Sequence, residues 1–179
     1  METSTINLPP KLELKIDISD EQFWQLCRDN DDLRFEKTAT GELIIMPPTG
    51  SNTGKRNADL TYQLQSWNRK KKLGEVFDSN SGFRLPNGAD RAPDASWVSR
   101  QRWDALTPEE QDKFAPLSPD FVVELMSPSD SLQKTREKLA EYIENGTQLG
   151  WLINRKKRQV EIYRPDREVE ILENPQTVS

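Results

Sequence analysis

The stretch "PDFVVELMSPSDSLQKTREKLAEYIENGTQLGWLIN" (119–154) constrains the fold of this chain more than any other. Val122, Val123 and Leu125 read as a strand that stops at a Ser-Pro turn. Leu132, Leu139 and Ile143 then recur at helical spacing until Gly146 ends the helix, and "LGWLIN" resumes strand character. A chain that passes from strand to helix to strand in this way buries the helix against a sheet, which is the layered α/β solution.

The rest of the chain extends that pattern. "SDEQFWQLCRDN" carries an N-capping Ser19 and places Phe23, Leu26 and Cys27 at helical spacing. "LRFEKTATGELIIMPP" alternates through a Gly-bearing turn and predicts a hairpin, and Lys55 to Lys71 predicts a longer helix with Leu60, Leu64 and Trp67 on one side. Strands are expected at Val76-Phe77, Phe83 to Leu85, "DASWV", "QVEIYR" and "EVEIL", with a helix start at Thr107-Pro108 that marks a short surface helix or a loop. The 179 residues suit one domain: a flexible arm over 1–15, a core over 16–172 and a tail over 173–179.

Composition removes several chemistries. Histidine is absent, so Ser-His-Asp and Cys-His catalysis and His-ligated zinc are excluded in their usual forms. A single cysteine, Cys27, forms neither a disulfide framework nor a cysteine zinc cluster, and fits a reducing compartment. With no apolar signal core and no run long enough to span a bilayer, the expectation is a cytoplasmic protein without a membrane segment. The net charge is −5, yet "NRKKK" (68–72) and "NRKKR" (154–158) concentrate cations; they are either solvated turns or a rim that contacts phosphates.

Glu124 is the anomaly within the strand. Burying an unpaired carboxylate costs several kcal/mol, so Glu124 needs a cation, a metal or a cleft. Asp94, in "RAPDASWV", stands at the start of another strand, and two carboxylates on neighbouring strand ends can hold a hard ion such as Mg²⁺. The same residues also allow a turn-capping Asp94 and a Glu124 paired with Arg91 or Arg136.

"APDASWV", "PDFVVELMSPSD", "REKLAEYIENGTQLGWLI" and "VEIYR", taken in this order, resemble the Uma-two family of bacterial putative restriction endonucleases, grouped with the PD-(D/E)XK nuclease superfamily. The likeness runs from the "GELIIMPPTG" hairpin to about residue 172. It implies a restriction-endonuclease-like core, a central mixed β-sheet flanked by helices, with Asp94 and Glu124 in the places of the superfamily's two acidic residues.

One departure matters. The superfamily's lysine two residues after the second acid is replaced here by Met126, which cannot orient a water. The family pattern points to Lys138 on the following helix. If Leu139 and Ile143 centre the buried stripe, Tyr142 lies about 80° and Lys138 about 120° from that centre, so a long side chain can still reach a cleft from the stripe's margin. A solvated Lys138 paired with Glu141 or touching Tyr142 is the plainer reading, and Lys134, a turn further out, is the fallback. Glu36 reads as an exposed strand residue that could otherwise join the site, and Asp120 as a cap at the start of its strand. The family's occasional histidine after the hairpin has no counterpart; Asn52, Lys55 or Arg56 would have to supply its role.

The expectation is a metal-dependent DNA endonuclease, with Asp94 and Glu124 holding Mg²⁺ or Mn²⁺, Lys138 assisting the attacking water, and a homodimer acting on duplex DNA. The alternative is a nuclease fold kept as a nucleic-acid-binding or protein-interaction module without cleavage.

Overall fold

The computed structural model describes residues 12–46 and 48–178. In chain order the elements are β1 (Leu12–Lys15), α1 (Asp20–Asp29), β2 (Arg34–Lys37), β3 (Glu42–Met46), α2 (Ser51–Lys71), β4 (Gly74–Asp78), β5 (Phe83–Arg84), β6 (Asp90–Arg91), β7 (Ala95–Ser99), α3 (Arg100–Trp103), α4 (Pro108–Gln111), β8 (Phe121–Leu125), α5 (Leu132–Glu144), β9 (Leu149–Asn154), β10 (Gln159–Tyr163) and β11 (Glu170–Glu173). They build two sheets: six strands in the order β11-β10-β9-β8-β7-β4 and five in the order β1-β3-β2-β6-β5. Within the larger sheet β8 and β9 run parallel and the other neighbours antiparallel, so the class is α/β with a central mixed sheet, as the sequence predicts.

Side-chain alternation decides what covers each face. Val122 and Glu124 of β8, with Gly150 and Leu152 beside them on β9, face α5, where Leu139 and Tyr142 are fully buried. Gly150 has a steric reason: a Cβ there would lie 2.7 Å from Leu139 Cδ1, so a larger residue would require the buried Leu139 to shift. On the opposite face Trp97 packs edge-on against Trp67 of α2 and donates its indole N–H to Asn68 Oδ1 at 3.0 Å. The five-stranded sheet closes the α5 side through Phe83 and Leu85, while Phe23 of α1 seals Phe35 and Leu43 in a smaller core.

Several boundaries differ from the sequence reading. Residues 12–15 of the expected arm form an edge strand registered against Glu42 to Ile45; residues 1–11 lie outside the described residues. The expected tail begins inside β11, and Asn174 N donates to Arg158 O at 2.8 Å. Helix α2 starts at Ser51, a turn before Lys55, because Gly50 enters it in extended conformation without a side-chain cap. Its buried residues are Asn57 and Asn68, with Trp67 41% exposed. The two-residue strand β6 has no periodicity to betray it; it pairs with β5 as a local hairpin, whereas its pairing with β2 is wholly tertiary.

Candidate active site

The chain steps from the small sheet to the large one through Ala92-Pro93-Asp94, between β6 and β7. That step brings four elements to one place. Glu36 arrives from β2, Asp94 from the step, Glu124 from β8 and Lys138 from the second turn of α5.

The Lys138 ammonium sits between two carboxylates. It donates to Glu36 Oε1 at 2.7 Å and lies 2.8 Å from Glu124 Oε1, with Ala92 O a third acceptor at 3.3 Å. Below it, the Tyr142 hydroxyl donates to the same Glu124 oxygen at 3.3 Å, and the tyrosine ring lies 5.8 Å from the ammonium. Asp94 is held at both oxygens: Asn57 Nδ2 donates to Oδ1 and the Leu125 amide to Oδ2, each at 2.8 Å. Its own amide donates to Val123 O, fixing it against β8.

Arg91 backs the cluster. Its guanidinium contacts Glu36 Oε2 at 3.2 Å and Glu141 Oε2 at 2.6 Å, and Asn87 secures Glu141 from the other side. Glu36 therefore has two cations, Lys138 and Arg91, whereas Glu124 shares only one.

The charge states follow from that inequality. Burial opposes the charge of Glu36, but Lys138 and Arg91 outweigh it and hold the carboxyl at about 2. Burial also raises Glu124, Lys138 offsets it only in part, and the Asp94 and Glu36 carboxylates add to the rise, leaving Glu124 at about 7. Burial works against the charge of Lys138 as well; Glu124 and Glu36 overcome this and raise its pKa, so it keeps its proton. The Tyr142 hydroxyl is pushed far up by burial and stays neutral, as a donor must. A buried carboxyl crowded by two others and facing a single cation is the kind of group that functional clefts hold.

The residues singled out in the sequence fall as follows. Asp94, Glu124 and Lys138 come together. Neither Arg91 nor Arg136 pairs with Glu124; Arg136 forks onto the buried Glu161. Lys138 does not turn to Glu141, which belongs to Arg91. Lys134 is exposed and pairs with Glu13 of β1, away from the cluster. Met126 packs against the hydrophobic core. Asp120 accepts from the Ser99 amide at 2.7 Å and from Arg102, a structural role. Arg56 turns back to Asn52 O, its own helix.

Glu36 corrects the sequence reading: it is 3% exposed rather than a surface strand residue. "FEK" gives no warning, because alternation predicts that one of two adjacent strand residues is solvated. Both are buried because each face of β2 is covered: Glu36 meets Lys138 of α5 and Arg91 of β6, and Lys37, on the other face, is buried against Asp90 and Asp20. Asn57 and Tyr142 join the site beyond the residues the sequence singles out for it; Tyr142, a phenol at helical spacing from Lys138, carries a local signal for this, and Asn57 carries none.

The donor set consists of carboxylates, an amide and a carbonyl, which suits a hard cation. Among the described residues no group of three acids is arranged as a complete metal cage. A cation here would therefore rest on Asp94 and Glu124, the crowded carboxyl whose charge it would favour, and complete its shell with water or substrate oxygen.

Comparison with known proteins agrees with this architecture. A structure described as a putative nuclease belonging to DUF820 from Anabaena variabilis ATCC 29413 superposes with a TM-score of 0.68 over 81% of this chain and 79% of that one, at 22% identity, a likeness of fold. No curated protein sequence matches the chain. The family model described as "Uma2: Putative restriction endonuclease" matches residues 20–179, which takes in both sheets from β2 onward and every residue of the cluster. By that match the chain belongs to the Uma2 family of putative restriction endonucleases.

Proposed function

We propose that this protein is a divalent-metal-dependent DNA endonuclease. The observation that carries the reading is the position of Lys138: its ammonium stands 2.8 Å from Glu124, although the strand position two residues after that acid is Met126. Asp94 and Glu124 would hold Mg²⁺ or Mn²⁺, which when bound polarises a phosphoryl oxygen and favours ionisation of water.

The protein's own groups divide the remaining work. Asn57 and the Leu125 amide keep the Asp94 carboxylate oriented, leaving each oxygen a further lone pair. Tyr142 fixes Glu124 by its hydroxyl hydrogen. Lys138, kept protonated by two carboxylates, can release one of its three contacts and turn that N–H to the attacking water or to the charge that develops on phosphate. Glu36 and Arg91 hold the lysine in range from the small sheet. The two basic runs would contact backbone phosphates, binding DNA without reading its bases. A homodimer would bring two such sites to one nucleic acid, and sedimentation of the purified chain tests it.

One observation favours a second reading, a binding module without cleavage. All three Lys138 contacts are filled within the chain, so the lysine is equally well explained as a tie between the sheets. Plasmid nicking in Mg²⁺ or Mn²⁺ separates the two. Cleavage that vanishes in Asp94→Asn and Glu124→Gln is expected. Cleavage by the parent that persists in Glu124→Gln would overturn the site, and no cleavage by the parent in either metal would favour the binding module.

A further inference from the structure

We propose that the groove along the exposed side of α2 holds an unpaired DNA strand, with Tyr62 as the platform on which a base stacks and Arg69 and Lys70 as phosphate contacts. The inference rests on the nuclease reading and names the kind of substrate that reading leaves open.

The groove encloses about 720 Å³ between α2 and the segments around Thr49 and Asp78. Gly54, Ala58, Tyr62, Gln65 and Arg69 line it at intervals of three or four residues, so one helical face forms the wall. Its inner end is Asn57, the residue that donates to Asp94. Asn57 is 5% exposed, and its other amide atom, Oδ1, is buried without a hydrogen-bond partner. Because Nδ2 faces the carboxylate, Oδ1 points away from it, an acceptor left over where groove and cluster meet. The outer end is cationic: Arg69 and Lys70 are exposed and form no ion pair among the described residues. The one acid in the lining, Asp78, is turned into its own loop, accepting from Asn80 N and Ser81 Oγ.

Dimension and chemistry both fit a strand. Asn57 and Arg69 are twelve residues apart, which spans ~18 Å of helix, or about five nucleotides at roughly 3.4 Å each. Midway stands Tyr62, 72% exposed on a wall of otherwise small or polar residues. Stacking on such a ring requires a free base face. In a duplex both faces are taken by neighbouring pairs, so the groove selects unpaired nucleotides. The strand would then run from the basic end of α2 to Asn57 and present its next phosphate to Asp94 and Glu124.

The test measures binding apart from cleavage. Fluorescence anisotropy of a labelled single-stranded DNA 20-mer, and of the same 20-mer as a blunt duplex, is recorded in EDTA for the full chain and its variants. The single strand is expected to bind about tenfold or more tighter than the duplex. Tyr62→Ala should weaken the single strand by roughly 5- to 100-fold, the range for losing one stacked base. Tyr62→Phe should retain it within about threefold, since the ring face and not the hydroxyl stacks. Arg69→Gln with Lys70→Gln should reduce the slope of log affinity against log salt by about 1.4, at ~0.7 for each phosphate contact to a single strand. All three positions are exposed, so folding is not at risk. Equal or tighter duplex binding, single-strand binding indifferent to Tyr62→Ala, or no binding at tens of micromolar protein would each overturn the groove. Plasmid cleavage lost in Glu124→Gln while Tyr62→Ala binds normally would refute the groove alone; binding that depends on Tyr62 in a chain that never cleaves would refute the nuclease reading instead.

Discussion

A single ammonium between two buried carboxylates sets the chemistry at the residue scale. Lys138 cannot satisfy Glu36 and Glu124 equally, because only Glu36 has a second cation in Arg91. Replacing Lys138 by Met should therefore lower metal-dependent cleavage by roughly 10²- to 10³-fold, the effect of removing one well-placed donor to a developing charge. Lys138→Arg should recover part of it; single-turnover cleavage rates check both. The strained partner is Glu124. Below its unfolded value of about 4.5 it is protonated in both folded and unfolded chains, and above about 7 it is ionised in both. Between these limits the folded chain holds the proton more tightly, so this residue makes stability fall as pH rises from about 4.5 to about 7. Glu36 acts oppositely, contributing stability that is lost as pH falls from about 4.5 toward about 2. In EDTA, Glu124→Gln should thus melt near the parent's temperature at pH 4.5 and above it at pH 8. A melting difference that stays flat across this interval would contradict the raised carboxyl.

At the scale of elements, α5 shows what the sequence reveals and what it withholds. Its strand–helix–strand setting and its stop at Gly146 are local signals, and each is found in place, with Ser131 as the N-cap. The orientation of its buried face is not local. Leu139 and Ile143 suggest a stripe that leaves Lys138 about 120° away, but the fully buried pair is Leu139 and Tyr142, whose bisector lies only about 70° from Lys138. The helix is rolled toward the lysine because Gly150 admits Leu139 close to the sheet and Glu124 draws in the tyrosine hydroxyl. Likewise, Asp94 and Glu124 are legible as acids in apolar strand surroundings, whereas the burial of Glu36 is not, since it depends on Arg91 and Lys138, more than fifty positions later. The close approach at Gly150 makes its own prediction. Gly150→Ala should push α5 off the sheet and cost about 1–3 kcal/mol, the usual penalty of overpacking, read from urea denaturation. An unchanged midpoint would mean that Leu139 can move aside freely.

At the scale of the whole molecule, the two sheets are joined at the candidate site itself. Arg91, at the end of the small sheet, reaches Glu36 beside it and Glu141 on the helix that covers the large sheet, while Lys138 reaches back from that helix to Glu36. The same ion pairs that place the lysine thus join the layers, so the proposed cleavage and the stability of the fold would depend on one set of contacts. Removing the guanidinium alone leaves two poorly compensated carboxylates in a low-dielectric setting, so Arg91→Ala should cost about 3–5 kcal/mol. Replacing the facing acid as well removes much of that penalty: Arg91→Ala with Glu36→Gln should be less destabilised than the sum of the single variants, with a coupling of about 0.5–3 kcal/mol. Urea denaturation of the four chains measures the cycle. The slope of the transition carries separate information, since it scales with the surface exposed. If the ion pairs are the clasp, Arg91→Ala should broaden or split the transition as the small sheet loosens first, whereas a parallel shift with unchanged slope would show that the hydrophobic contacts of Phe83 and Leu85 hold the layers without them.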